Sequence, residues 1–163
     1  MSADQGAGID FSTMRGRDYP AIRQFTVFLE NRVGQLMELV RRFEGSQVRI
    51  VALSINDATE CAFVRFVLSH PEQGREILER AGLAIIESDL LCIELPDSPQ
   101  PLVQICSALL QAEINIVQTY PLIVQPRGLP VIAVMVDNLE GAQEMLASKG
   151  IRLLAEEDLQ GEE

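Results

Sequence analysis

The apolar run Phe25-Thr26-Val27-Phe28-Leu29 breaks into Glu30-Asn31-Arg32-Val33-Gly34 and then into a helical pattern. From Leu91, sixty-six positions on, a second apolar strand enters a turn and a helix in the same order. A strand-turn-helix unit that recurs in a chain of 163 residues leaves no room for two large domains. The repeat therefore points to two small units side by side, with a seam between them in which a ligand can sit.

The first unit reads element by element. Arg23 to Glu30 is rich in Phe, Thr and Val and predicts a strand, and Asn31 to Gly34 interrupts it with turn chemistry. Leu36, Leu39, Val40 and Phe43 then fall at i, i+3, i+4 and i+7, one stripe of a helix whose Glu38, Arg41 and Arg42 face water, with Gly45 as its C-terminal cap. Val48 to Ile55 and Cys61 to Leu68 flank the turn Asn56-Asp57-Ala58-Thr59 and predict a hairpin. Pro71 suits the first position of a second helix, since its fixed φ and missing N–H cost nothing there, and Gly82 ends that helix. Leu83 to Ile86 is the fourth strand.

The same series returns. Leu91 to Leu95 predicts a strand, Pro96 to Pro101 a turn, and Leu102, Ile105, Cys106 and Leu109 repeat the helical stripe. Ile114 to Val124 and Leu129 to Val136 form a second hairpin about Gln125-Pro126-Arg127-Gly128, followed by a helix over Leu139 to Lys149 and a strand over Ile151 to Ala155. Gly82 matches Gly150 at an offset of sixty-eight, so a two-residue insertion separates the copies after the hairpin.

The fold class is thus α+β: two ferredoxin-like βαββαβ units in tandem, each an antiparallel sheet with helices on one face. Sheets of this kind leave a bare face and unpaired edges, and units of about 70 residues are marginal alone, so the two are expected to pair side by side as one cooperative body. The expected divisions are a flexible N-terminal arm over 1–21, units over 22–88 and 89–158, and an acidic tail over 159–163 that frays.

Composition excludes several functions. A net charge of −11 and a sequence pI of about 4.5 oppose binding to nucleic acid or an anionic membrane. The longest apolar runs fall short of the roughly 20 residues a membrane-spanning helix needs, and no charged-then-apolar leader opens the chain, so a cytoplasmic location is expected. Cys61, Cys92 and Cys106 lack metal-type spacing and read as buried free thiols. The one histidine, His70, precedes Pro71 at a helix start and reads as a solvent-facing turn residue, so no metal site and no Ser-His-Asp set follow. Pro126-Arg127-Gly128 reads as a plain hairpin tip, and Glu156-Glu157-Asp158 as solvated.

Glu30-Asn31-Arg32-Val33-Gly34-Gln35-Leu36, between a strand and an amphipathic helix, resembles the ACT domain, the small-molecule regulatory module of amino-acid metabolism. Ala112-Glu113-Ile114-Asn115-Ile116-Val117 is similar to the motif opening that family's second strand, and the two copies cover residues 22 to 158. The resemblance implies a non-catalytic regulatory protein without cofactors that binds a small amino acid between paired modules.

The residues themselves offer reasons for such a site. Gly34 adopts backbone angles closed to other residues and admits a ligand closely, N–H groups opening the helix favour a carboxylate, and Asn31 offers both donors and acceptors. Asn31 and Gly34 serve equally well as builders of the turn. In the second copy Gln100 stands where Gly34 stands in the first, and prolines remove N–H donors, so that loop is a weak site. By resemblance, Asn115 reaches a ligand held by the neighbouring module. One composite pocket is expected, from Asn31, Arg32, Val33, Gly34, Gln35 and Leu36 with Asn115 and Val117, while its reciprocal is closed by an ion pair of Arg49 with Asp97.

Exposed sheet edges make a homodimer the expected assembly. The alternative function is a regulatory subunit of an amino-acid biosynthetic enzyme such as acetolactate synthase. An acylphosphatase-like enzyme would want an anion-binding arginine in the first loop, which Arg32 only loosely offers. An RNA-recognition domain would need a basic face, which the chain lacks.

Overall fold

The computed structural model describes residues 21–30 and 32–161. Its central feature is one strand. Sequence patterning separates Leu83–Ile86 from Leu91–Leu95, but the backbone runs unbroken as β4, Ile85–Glu94. No Gly or Pro stands between Ile86 and Leu91, and the Ser88 hydroxyl accepts a hydrogen bond from Gln24 Nε2 at 3.1 Å, so nothing local ends the strand. The first half of β4 pairs antiparallel with β1, Ile22–Glu30, from Ile22↔Leu90 to Val27↔Ile85. Its second half pairs with β6, Val131–Val136, from Leu91↔Val134 to Glu94↔Val131, and with the short β7, Leu153–Leu154. One strand thus serves as last of the first unit and first of the second, and the expected division between 88 and 89 falls inside it.

The other strands complete two ferredoxin-like halves. β2, Ile50–Asp57, pairs with β3, Cys61–Leu68, which pairs with β1, and β5, Ile116–Pro121, pairs with β6. The order across the sheet is β2-β3-β1-β4-β6-β5. The sheet curls until its outer strands touch, through an antiparallel bridge of Ala52 with Leu122 and an Ile123 N–H donating to the Val51 carbonyl at 2.7 Å. The helices are α1, Gln35–Arg41, α2, Pro71–Arg80, α3, Pro101–Gln111, and α4, Leu139–Ser148. Pro71 and Pro101 open theirs as expected, and Asn138 caps α4 by accepting the Gly141 N–H at 3.0 Å.

Alternation along β4 sorts the side chains into three cores. Leu90 and Cys92 point inward to a joint core with Ile22, Val51, Ala52, Val67, Tyr120, Val131, Ala133, Leu154 and Leu159. On the opposite face Ile85 packs under the first unit's helices with Phe25, Val27, Phe43, Phe66 and Leu78, and Leu91 and Ile93 pack under the second unit's with Ile105, Leu109 and Leu146. Each side chain removed from water contributes about 1.5–3 kcal/mol, and the joint core couples that gain to both units at once.

Inside the joint core, Tyr120 Oη donates to Gln24 Oε1 at 2.6 Å, linking second unit to first. Gln24 is 1% exposed, and without that donor its carbonyl would be buried and unpaired. Burial pushes both the Tyr120 hydroxyl and the Cys92 thiol well above their ordinary values, so each stays protonated; proximity to Cys92 adds to the Tyr120 shift and Arg65 opposes it.

Four expectations are corrected. α1 stops at Arg41 and tightens into turns, with Arg42, Phe43 and Glu44 donating three residues back, and Val40 is 40% exposed rather than on the buried stripe. Of the three thiols Cys92 is buried, Cys61 half-buried and Cys106 exposed, because Cys106 lies on the outer face of α3. His70 is half-buried, its Nδ1 2.8 Å from Ser69 Oγ. The acidic tail docks: Glu156–Leu159 is a 3₁₀ turn, Leu159 is 2% exposed in the joint core, and Glu156 Oε2 accepts from Arg23 Nε at 3.1 Å. The arm over 1–20 and residues 162–163 lie outside the described residues.

Candidate functional site

The β1–α1 turn is built around one left-handed residue. Gly34 has φ 90° and ψ −10°, a conformation that strains any residue with a Cβ, and no neighbouring atom comes within 4 Å of where a Cβ would stand. The constraint at Gly34 is therefore backbone geometry, and the space beside it is open. The Arg32 N–H donates to the Glu30 carbonyl at 2.8 Å and the Gln35 N–H to the Arg32 carbonyl at 3.3 Å, which folds the chain back before the helix.

Arg32, Val33 and Gly34 are all exposed, Val33 completely, while Gln35 and Leu36 are half-buried and Leu36 packs against the first unit's core. Arg32 Nε pairs with Glu30 Oε2 at 2.8 Å in an exposed contact that water screens. Asn31 lies outside the described residues.

The second half of the expected pocket stands at the start of β5. The Asn115 N–H donates to Asp137 Oδ1 at 3.0 Å and its carbonyl accepts the Asp137 N–H at 3.2 Å, so its backbone is held by the end of β6 while its side chain is exposed; Val117 is 60% exposed. At the Ala52–Leu122 bridge β2 and β5 run antiparallel, which puts the C-terminal end of β2 and the N-terminal end of β5 on the same side of it. The β1–α1 turn leaves the sheet at that same end, where Glu30 is opposite Cys61 and Asp57 opposite Ala62. Through β6 and β4, however, the register sets Asn115, opposite Asp137, level with Ser88 and Gln24, six residues along β1 from Glu30.

The reciprocal contact is corrected. Arg49 does not pair with Asp97 among the described residues; its Nη2 donates to the Gln160 carbonyl at 2.8 Å, because the docked C-terminal turn crosses its path. That turn also closes a cleft of about 650 Å³ lined by Arg49, Gln125, Arg127, Glu157, Asp158 and Gly161 with apolar neighbours. By sequence, Gln125 and Arg127 look like a hairpin tip, Glu157 and Asp158 like a solvated tail, and Arg49 like a partner for Asp97. The one available signal was Leu159, an apolar residue in an acidic segment, which marks a docking point. Glu94 sits beside the cleft, 9% exposed, its Oε2 3.5 Å from Arg127 Nε yet accepting no hydrogen bond among the described residues. Opposite charges at that distance attract, but the contact is too long and misdirected to satisfy the oxygen.

Two βαββαβ modules fused through one strand and closed over a joint core define a class, the paired ferredoxin-like module. The description that matches the sequence over residues 20–162 is ACT domain pair. The chain belongs to that family.

Solved structures agree on the fold. A protein from Bacteroides thetaiotaomicron superposes with a TM-score of 0.79 at 23% identity, over 88% of this chain and 99% of that one. The regulatory subunits of aspartate kinase from Thermus thermophilus, in ligand-free form, and Thermus flavus give TM-scores of 0.54 and 0.51 at 12% and 13% identity, each over 80% of this chain and 93% of theirs. Identities this low speak to the fold alone. No curated protein matches the chain. Among the described residues no helix is long and apolar enough to cross a membrane, and no three His, Cys, Asp or Glu side chains group as metal ligands.

Proposed function

We propose that this chain is a non-catalytic regulatory protein of the cytoplasm that binds a small amino acid through the Asn31–Leu36 turn together with Asn115 and Val117. The observation that carries the reading is Gly34, held left-handed in an exposed turn with open space where a side chain would be. Asn115 supports the reading only through its own chemistry, since its backbone hydrogen bonds fix the strand and leave the amide side chain exposed.

Regulation then requires the ligand to favour one assembly over another, because a ligand shifts an equilibrium only by its differential affinity. A joint core resists rocking of one unit against the other, so the responsive contact is with a second copy or a client enzyme. A thermal-shift screen of the twenty amino acids tests the reading: a ligand at a hundred times its Kd adds about 2.7 kcal/mol to stability. Asn31→Ala and Asn115→Ala are each expected to weaken that ligand at least tenfold in calorimetry, and unchanged affinity in both variants rejects the site.

A second reading is a regulatory subunit of an amino-acid biosynthetic enzyme such as acetolactate synthase. It is favoured by the fold shared with two regulatory subunits and by an outer face of α3 on which Leu102, Val103 and Leu110 are 53%, 60% and 76% exposed. A flat screen together with copurification of a large catalytic subunit would select it.

A further inference from the structure

The cleft of about 650 Å³ closed by the C-terminal turn is made from three places in the chain: Arg49 just before β2, the β5–β6 hairpin from Val124 to Arg127, and the segment from Glu157 to Gly161. Its charges are mixed. Arg49 and Arg127 supply guanidinium groups, Glu157 and Asp158 supply carboxylates, and Val124 and Pro126 supply apolar surface.

Much of this polar capacity is unused among the described residues. Arg49 donates through Nη2 to the Gln160 carbonyl, and a guanidinium has five N–H donors. Asp158 accepts the Ala155 N–H through one oxygen, and Glu157 is exposed with no ion pair among the described residues. Glu94, nine-tenths buried and 3.5 Å from Arg127 Nε, keeps an oxygen that accepts no hydrogen bond among the described residues. At Gly161 a Cβ would collide with the Arg49 guanidinium, so the glycine lets that arginine lie along the wall.

We propose that this cleft is a second small-molecule site, distinct from the Gly34 turn, and that it takes a free α-amino acid with an apolar side chain. A simple anion is repelled by Glu157, Asp158 and the net charge of −11, and a simple cation leaves the guanidinium donors of Arg49 and Arg127 without an acceptor. A zwitterion answers both, with its carboxylate against the forked donors of Arg49 and Arg127 and its ammonium against Glu157 and Asp158. The side chain lies on Val124 and Pro126. Occupancy ties the C-terminal turn of the second unit to Arg49 of the first.

The test is an amide chemical-shift titration of the full ¹⁵N-labelled chain with each of the twenty amino acids in turn. Shifts at Gln125, Arg127, Asp158 and Gly161 are expected for an apolar amino acid, with affinity at least tenfold weaker in Glu157→Gln, an exposed change that leaves the fold intact, and for the deaminated acid of the same side chain. Arg127→Gln is expected to weaken binding to a similar degree. Shifts confined to Val33, Gly34, Gln35 and Asn115 would overturn the cleft site and leave the turn site standing. Shifts in neither group would overturn both, and a deaminated acid that binds equally well would show that only the arginines are engaged and overturn the zwitterion assignment.

Discussion

The two units open their first helix in opposite ways. In the first, Gly34 at φ 90° leads into a seven-residue helix with Glu38 in its first turn; in the second, Gln100 at φ −134° precedes Pro101 and an eleven-residue helix without a charged side chain. Beneath both turns the same positions are buried, Leu39 and Phe43 in one copy and Ile105 and Leu109, sixty-six residues on, in the other. The outer positions Val40 and Cys106 are exposed in both. Packing therefore fixes the second and fourth apolar positions of the stripe and leaves the turn free to differ, which is where two copies of one fold can specialise.

The largest effects should come from what the copies share. Leu90→Ala on β4 is expected to cost about 2–5 kcal/mol, as are Leu78→Ala and Leu146→Ala under the separate helix layers, and all three should shift one common unfolding transition. Two separated transitions in chemical denaturation would break the picture of units closed over a joint core.

Next in size is the polar link. Tyr120→Phe leaves Gln24 Oε1 buried without its donor and is expected to cost about 1–3 kcal/mol. Tyr120 and Cys92 also set an alkaline limit. Both hold their protons to higher pH when folded than when unfolded, so above about pH 9 the unfolded state binds fewer protons and stability falls as pH rises. Below that their contribution is fully present. Denaturation midpoints measured from pH 7 to 11 should decline less steeply in Cys92→Ala than in the parent chain, relative to each protein's value at pH 7.

The smallest contrast bears on the turns. Gly34→Ala meets no atom but must hold φ 90°, for roughly 1–2 kcal/mol, whereas Gln100→Ala, extended and exposed, should stay within about 0.5 kcal/mol. Equal effects would mean that the first turn relaxes out of its left-handed form.

Much of the fold was legible from local signals. Pro71 and Pro101 mark helix starts because the proline ring presets φ, and Gly82 and Gly150 close α2 and α4 with φ of 74° and 72°. Cys61–Leu68 was readable residue for residue, since a short run rich in Phe and Val between turn residues has few other uses. The fused β4 was not, because Glu87-Ser88-Asp89 looks like a polar linker until Gln24 and β1 lie beside it. The Gly34 turn of the candidate site was visible for the same reason as the prolines, a backbone demand only one residue type meets. The cleft was invisible: Arg49, Arg127 and Glu157 are more than a hundred positions apart at the extremes, and nothing in their local sequence brings them together.

Sequence alone determined the repeat, the strand and helix periods, the left-handed glycine and the uneven match between the two turns, because each is a property of neighbouring residues and their allowed torsions. Only tertiary structure decided that the copies share a strand, that the sheet curls until Ala52 meets Leu122, and that Leu159 carries the acidic tail onto the joint core. Those outcomes depend on which apolar faces remain uncovered after each unit has formed, and the hydrophobic effect settles that by area without regard to order along the chain.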